Sequence, residues 1–516
     1  MVVLVILFSS TFLLLFFYRT RRTRARLPPG PPGLPLIGNF HQLLSPEPHR
    51  YLWHLSKQYG PLMFLRFGVK PTIVVSSATI ARQVMKTHDL VFASRPSLLG
   101  QRKLSYNGLD LAFTPYGHYW REMRRLCVLH LFSSRRTQSF RPIQEDEAVR
   151  MIRKLSQSVA SHRVINLSET LLSFTSTLIC RIAFGKRYEA EDEGGERSRF
   201  HELLKEAQAL MAEFYFSDYL PWLGWVDTLR GLTSRLDQTC KQLDLFYEKV
   251  IKDHMNPTTP HQTDQQDIID IFLQIKDASS TSVDLTLDHI KALLMNIFIA
   301  GTDTSAATVV WAMTALMKNP RVMKKVQDEI RKLYGEIKDF IRIDDIERLP
   351  YFKAVVKETL RLFTPVPLLV PRESMQRCNV EGYEIEPKTL VLVNAWAIGR
   401  DPETWEDPEK FYPERFFNCS INFKGQDFEL IPFGAGRRIC PGIQMGVINA
   451  ELALANLLHS FDWELPAGIE EQDIDTEVMP GLTIHKKNDL CLVAKIHETK
   501  PISRPIIDIG FQCYRV

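Results

Sequence analysis

The stretch Pro432-Phe433-Gly434-Ala435-Gly436-Arg437-Arg438-Ile439-Cys440-Pro441-Gly442 decides how this chain is read. Two glycines within three residues let the backbone bend closely around a partner. Two adjacent arginines add positive charge, a single cysteine follows, and Pro441-Gly442 close the turn. Helix-forming residues then run from Gly446 to Ala453. A thiol just before a helix N-terminus and beside Arg438 is biased towards thiolate, and a soft thiolate suits iron. The competing reading is a buried, inert cysteine, the usual fate of a lone thiol.

Composition narrows the choice. The chain has 516 residues, 45% hydrophobic and 24% charged, which supplies apolar material for a large core. A net charge of +4 is too small to imply nucleic-acid binding. The eight cysteines show no CxxC pairing, which argues against a disulfide scaffold or zinc site and for a reducing compartment. No Walker loop is present, and no Gly-x-Gly-x-x-Gly follows a predicted strand, so the chain is expected to bind neither NADPH nor flavin.

Val2 to Tyr18 is apolar except for Ser9, Ser10 and Thr11, and Arg19, Arg21, Arg22, Arg24 and Arg26 follow at once. A cleaved signal peptide has the reverse order. Residues 1–18 are therefore read as a transmembrane signal anchor, with the N-terminus in the lumen and the rest cytosolic. Residues 19–39 form a basic stop-transfer and a proline-rich hinge, Pro28-Pro29-Gly30-Pro31-Pro32-Gly33-Leu34-Pro35, expected to be a semi-rigid spacer. Residues 40–500 read as a single catalytic domain, because no second linker interrupts them. The 501–516 tail receives no functional reading.

Within that domain, Pro61–Gly68 and Thr72–Ser76 predict a hairpin. Helices are predicted over Tyr119–Leu131, Phe140–Ala160, Leu203–Phe216, Leu236–His254, Thr286–Met317, Pro320–Gly335 and Tyr351–Leu362. Tyr219–Trp225 reads as an apolar aromatic loop, and His254–Gln266 as a mobile surface loop. Glu381–Asn394 alternates like a strand, with a turn at Pro387. The balance is mostly helix, with a small sheet region towards the N-terminal side.

Three groups of residues carry chemistry. Ala300-Gly301-Thr302-Asp303-Thr304-Ser305 lies inside the longest helix, where glycine costs about 1 kcal/mol against alanine. Hydroxyls there can bond preceding carbonyls and open the helix locally; the alternative is a packing site of small residues. Glu358-Thr359-Leu360-Arg361 puts a carboxylate and a guanidinium on one face of an apolar helix, and Arg415 follows downstream in Pro413-Glu414-Arg415-Phe416. Trp120-Arg121-Glu122-Met123-Arg124 puts an indole N–H and a guanidinium one turn apart.

Phe433-x-x-Gly436-x-Arg438-x-Cys440-x-Gly442 resembles the haem loop of the cytochrome P450 superfamily at all five defining positions. The groups above resemble that family's (Ala/Gly)-Gly-x-Asp-Thr, Glu-x-x-Arg, Pro-x-Arg-Phe and Trp-x-x-x-Arg motifs. The resemblance implies a mainly α fold with a small β region, binding haem b (iron protoporphyrin IX). Cys440 would be the axial iron ligand, within the loop that Phe433, Gly436 and Gly442 shape. Trp120, Arg124, Arg438 and Arg372 would hold the propionates. Asp303 and Thr304 would relay protons. Glu358, Arg361 and Arg415 would form a structural network that holds the haem loop.

Substrate contacts would come from 98–113, 209–214, 296–304, 365–370 and 481–483, among them Ala300, Leu369 and Leu482. These segments are mostly apolar, which suits a small lipophilic substrate. Electrons would come from NADPH–cytochrome P450 reductase docking near Arg437, with cytochrome b5 as a second donor. The location implied is the endoplasmic reticulum membrane, single-pass, with the catalytic domain cytosolic.

The stretches Phe92–Pro96, Phe184–Tyr188, Trp396–Pro402 and Phe423–Phe428 are similar to plant microsomal enzymes of the A type, family 71 clan. Phe423–Phe428 and Gly481–Lys487 are also similar to its aldoxime-oxidising branch. The function expected is a monooxygenase. The rivals are a haem-thiolate isomerase or dehydratase that needs no reductase, and a non-catalytic haem-binding protein.

Overall fold

The computed structural model describes residues 27–42, 45–159, 163–187, 196–256, 266–278, 283–334 and 340–497. The predicted anchor (1–18), the basic run up to Arg26, most of the loop after His254 and the 501–516 tail lie outside the described residues.

The helical core packs around one helix, Leu287–Met317, of 31 residues. At about 1.5 Å per residue it is roughly 46 Å long, enough to cross the domain. Its start is fixed where the Thr286 N–H donates to His289 Nδ1 at 3.1 Å. Its end is fixed by Asn319, whose amide donates to the Ala315 carbonyl at 2.8 Å, and by Pro320, which opens the helix Pro320–Tyr334. Leu167–Phe184, Ile443–Ser460 and Pro350–Leu362 pack against it. Leu167–Phe184 and Leu287–Met317 are long and apolar enough to cross a bilayer, but 67% and 61% of their apolar windows are buried in the fold. They are core helices of the domain.

The expected helices are found within a few residues of their predicted limits, with one displacement. The helix predicted over Leu203–Phe216 is Glu196–Ala212. It stops early because Asp227 accepts from the N–H groups of Phe216 and Ser217, at 2.8 and 2.9 Å, and so starts a separate turn. The Tyr219–Trp225 loop is accordingly made of short turns, Phe216–Tyr219, Pro221–Leu223 and Trp225–Leu229.

The main sheet is ordered Leu62–Phe67, Lys70–Val75, Leu390–Val393, Arg372–Glu373. The predicted hairpin is there, antiparallel from Leu62↔Val75 to Phe67↔Lys70. The sheet is less N-terminal than expected, because Leu390–Val393 pairs parallel to it in the register Thr72↔Leu390. A second sheet joins Ile165–Asn166, Cys491–Ile496 and Phe461–Glu464. Glu381–Asn394 supplies two strands to two different sheets, since Tyr383–Ile385 pairs only with Cys378–Val380.

The described part of the proline-rich hinge is docked on the domain. Phe64 N–H donates to the Pro29 carbonyl at 2.9 Å, and Asn39 N–H to Arg66 at 2.6 Å. A Cβ on Gly30 would lie 1.9 Å from the Phe64 carbonyl oxygen. Gly30→Ala is therefore expected to lower the thermal midpoint, by a loss of about 1–3 kcal/mol. Gly117→Ala, which meets nothing within 4 Å, should cost only the poorer N-cap of His118–His130, about 0.5–1 kcal/mol.

Candidate active site

The cysteine loop is gripped from outside. Gly434 and Gly436 have φ of +68° and +69°, a conformation that disfavours a side chain. A Cβ on Gly436 would fall 2.2 Å from the Met85 carbonyl and 2.6 Å from the Asp89 carboxylate. On that side Asp89 Oδ2 accepts from Arg437 N–H at 3.0 Å, and Arg372 donates to the Ala435 carbonyl at 2.7 Å. On the other side Arg124 donates to the Ile439 carbonyl at 2.6 Å. Phe433 packs on Phe423 at 5.6 Å. The helix begins at Ile443, with Gly442 as its N-cap.

Burial pushes the Cys440 thiol above its usual range, while the Gly442 N–H and the charge on Arg124 pull it down. This corrects the expected influence of Arg438. Its guanidinium turns away from the thiol and donates to the carbonyls of Ala93 (2.7 Å) and Thr114 (2.6 Å). The cation acting on Cys440 is Arg124. Gly436–Arg438 form a 3-10 turn, in which successive side chains point about 120° apart.

Arg438 belongs to a cluster with Arg95, Arg124 and Arg372. Burial, followed by the other arginines, depresses the Arg95 guanidinium. Burial, then Arg372, brings Arg438 down to about 9. Arg124 and Arg372 are also depressed, first by burial. Among the described residues, the carboxylates that oppose these charges are Asp110 and Asp89. Asp110 is itself fully buried and its carboxyl is pushed up by desolvation. Buried cations this short of counter-charge suit a dianionic ligand, and two carboxylates on a flat apolar ring meet the requirement. The haem propionates therefore fit the residues present. Trp120 donates its N–H to the Leu111 carbonyl at 3.0 Å, and the Arg438 guanidinium lies over its ring at 4.1 Å.

The long helix shows the complementary feature. It is buried nearly throughout, yet Ala300 is exposed and Ile297, Gly301, Thr304 and Thr308 are half-buried, on one face at helical spacing. A core helix with one open stripe lines an internal space. Its backbone is continuous, so the expected local opening is not a break. The Thr304 hydroxyl donates to the Ala300 carbonyl at 2.7 Å, and Thr308 to that of Thr304 at 2.8 Å. Gly301 also serves packing, since a Cβ there would meet Ile179 Cδ1 at 2.8 Å. Asp303 is buried, and its Oδ1 lies 2.8 Å from His485 Nε2. Leu369 and Leu482 line one apolar cavity of about 130 Å³, together with Pro367, Leu368 and Ile484; Ala300 is not part of its lining.

Glu358, Arg361 and Arg415 come together. Arg361 makes a bidentate pair with Glu358 at 2.7 and 2.8 Å, and Arg415 reaches Glu358 Oε1 at 3.1 Å. Arg361 also donates to the carbonyls of Gly399, Pro408 and Lys410, and Arg415 to those of Glu406, Asp407 and Lys410. The trio thus ties Pro350–Leu362 to the irregular segment before the cysteine loop.

Sequence reasoning missed Arg95 and His485 as members of the site, and placed Asp110 and Asn296 there only as parts of substrate-contact segments. Asn296 accepts from the N–H groups of Leu111 and Ala112 at 2.9 and 3.0 Å, and donates to Asp110 at 2.9 Å, so it ties the 98–113 segment to the long helix. Arg95 carried a usable signal, a charge inside the apolar run Phe92–Pro96.

The cytochrome P450 family model matches residues 28–493. Among curated proteins, the chain is 48% identical over 490 residues to 6,7,8-trihydroxycoumarin synthase of Pastinaca sativa, covering 93% of this chain and 95% of that one. It is 49% identical over 491 residues to 5-OH-xanthotoxin synthase of Ammi majus, covering 94% and 95%. It is 48% identical over 481 residues to cytochrome P450 71B34 of Arabidopsis thaliana, covering 93% and 95%. A zebra fish cytochrome P450 solved with progesterone aligns with a TM-score of 0.75 at 27% identity, covering 87% of this chain and 99% of that one.

Glu358→Ala would leave Arg361 buried and without its carboxylate. It is expected to cost about 3–5 kcal/mol in denaturant unfolding. Arg415→Lys, which keeps a charge at the more exposed end of the trio, should cost less.

Proposed function

The chain belongs to the cytochrome P450 family; it is a haem-thiolate monooxygenase with haem b as cofactor, and we propose that it hydroxylates a small planar oxygenated aromatic of the coumarin type. The single observation that carries the substrate class is the high identity to enzymes named for hydroxylated coumarins and furanocoumarins. An apolar cavity bounded by Leu369 and Leu482 agrees with it. The aldoxime-like stretches at 423–428 and 481–487 make aldoximes the competing ligand class.

Bound haem supplies the activation of O₂ and the insertion of one oxygen atom into the substrate, the other leaving as water. The chain's own residues divide the remaining work. Cys440 holds the iron from a loop fixed by Gly436, Arg372 and Arg124. Arg95, Arg124, Arg372 and Arg438 receive the propionates, and Trp120 supports Arg438 from below. Asp303 and Thr304, side by side on the long helix, hold and pass protons towards the open stripe. Glu358, Arg361 and Arg415 keep the segment before the loop in place.

Electrons come from a redox partner. We assign that role to NADPH–cytochrome P450 reductase, with cytochrome b5 as a second donor. Arg437, 52% exposed on the loop's outer side, supports docking there. The location inferred is the endoplasmic reticulum membrane, with residues 1–18 as a single-pass anchor, 19–39 as stop-transfer and hinge, and 40–500 as the cytosolic catalytic domain. The exposed Trp222, Trp225 and Leu229 give that domain an apolar surface suited to a bilayer. An isomerase or dehydratase, or a haem carrier, would not need NADPH for product formation.

Spectral titration of the ferric full-length protein is expected to saturate with hydroxycoumarins or furanocoumarins. Saturation with aldoximes alone would overturn the substrate class. Cys440→Ser should abolish the thiolate–CO band of the reduced protein. Thr304→Ala should lower product formed per NADPH by about tenfold or more, the full contribution of positioned proton transfer being roughly 10²–10⁴-fold.

A further inference from the structure

We propose that His485 is a positioning residue for Asp303: its imidazole holds the buried carboxylate where it delivers protons, and anchors that placement to the hairpin formed by Val478–Met479 and His485–Lys486. The proposal rests on the reading of Asp303 as the acid of the relay.

The contact between Nε2 and Oδ1, at 2.8 Å, joins two elements far apart in sequence. Asp303 keeps 10% of its side chain exposed, whereas His485 keeps 30%. The imidazole is therefore the more exposed partner of the acid. An isolated carboxylate at that depth is costly and lacks a fixed orientation; a charge-assisted bond supplies both compensation and direction.

The surroundings show that the contact belongs to a fixed frame. Asp303, Ala307 and Trp311 recur every four residues, on one face of the long helix. Ala307 and Trp311 pack with Val478 and Ile484, and the Trp311 indole N–H donates to the Ile484 carbonyl at 3.1 Å. Ile484 N–H in turn donates to Pro365 at 2.8 Å. His485–Lys486 pairs with Val478–Met479 in the register His485↔Met479. The neighbouring cations are engaged elsewhere, Lys486 with Asp475 and Lys487 with Glu477, both at 2.7 Å. In the same hairpin Gly481 and Leu482 line the cavity. One hairpin therefore carries both a wall of that apolar cavity and the partner of the acid.

The chemistry sets the readout. When protons arrive in register, O₂ is split into product oxygen and water. When they do not, NADPH, a proton and O₂ give NADP⁺ and hydrogen peroxide, with the same two electrons consumed. The full-length protein is placed in phospholipid vesicles with the reductase, with 7-hydroxycoumarin as probe, and the fraction of NADPH electrons recovered as peroxide is measured. Asp303→Asn and His485→Leu should each raise that fraction about threefold or more. His485→Gln, which keeps an N–H donor, should stay within about twofold of the native protein, and the double variant should not exceed the larger single effect.

Thermal midpoints of the same variants provide a readout without turnover. Once either Asp303→Asn or His485→Leu is made, the second substitution should lower the midpoint no further. The thiolate–CO band should be intact in all. If Asp303→Asn raises peroxide and His485→Leu does not, or if the two effects add, the positioning role is overturned while the relay stands. If neither raises peroxide, the relay reading fails and the proposal fails with it.

Discussion

The active site depends on a loop that cannot hold itself. Cys440 sits where burial disfavours its charged form, and the two left-handed glycines before it carry no packing of their own. The loop's shape comes from its neighbours. The Met85 carbonyl and Asp89 press where Gly436 has no side chain. Arg372 and Arg124 clasp the carbonyls of Ala435 and Ile439 from two sides. Those arginines reach the loop only because the main sheet brings Arg372 up beside Val391, and because the helix His118–His130 presents Arg124 on the same face as Trp120.

The same arginines create the second constraint. Three buried guanidiniums and the half-buried Arg124 gather around the site, with the carboxylates of Asp110 and Asp89 opposing them among the described residues. Their backbone bonds satisfy the donors but not the charge. A ligand bringing two carboxylates completes the balance, and the long helix leaves an open stripe from Ile297 to Thr308 beside it. The clasp on the loop and the demand for an anion are thus one arrangement. The Glu358 trio stands behind it and fixes the segment from Gly399 to Arg415 on which the loop is mounted.

Much of this was legible in the sequence. The bend of the cysteine loop is legible because left-handed backbone permits few residue types at Gly434 and Gly436. The Glu358–Arg361 pair is legible because its spacing acts within one helix. What was hidden depends on contacts between distant segments. His485 meets Asp303 only through the register of a short hairpin, and Asn296 meets Asp110 only once the 98–113 segment is laid on the long helix. Arg438 was assigned the effect on Cys440 that Arg124 exerts, because proximity in sequence says nothing of which way a 3-10 turn directs a side chain. The helix expected over 203–216 ended early because Asp227, beyond the window that periodicity inspects, captures two of its N–H groups.

The most direct test of the account is to compare haem b with its dimethyl ester, which keeps the iron and the ring but removes both negative charges, by measuring retention of each by the full-length protein. The account predicts that both give a thiolate–CO band through Cys440, and that the ester dissociates about tenfold faster or more, since each lost charge-assisted contact is worth roughly 1.5–3 kcal/mol. Equal retention of the two would contradict it, because the buried arginines would then have no part in holding the cofactor.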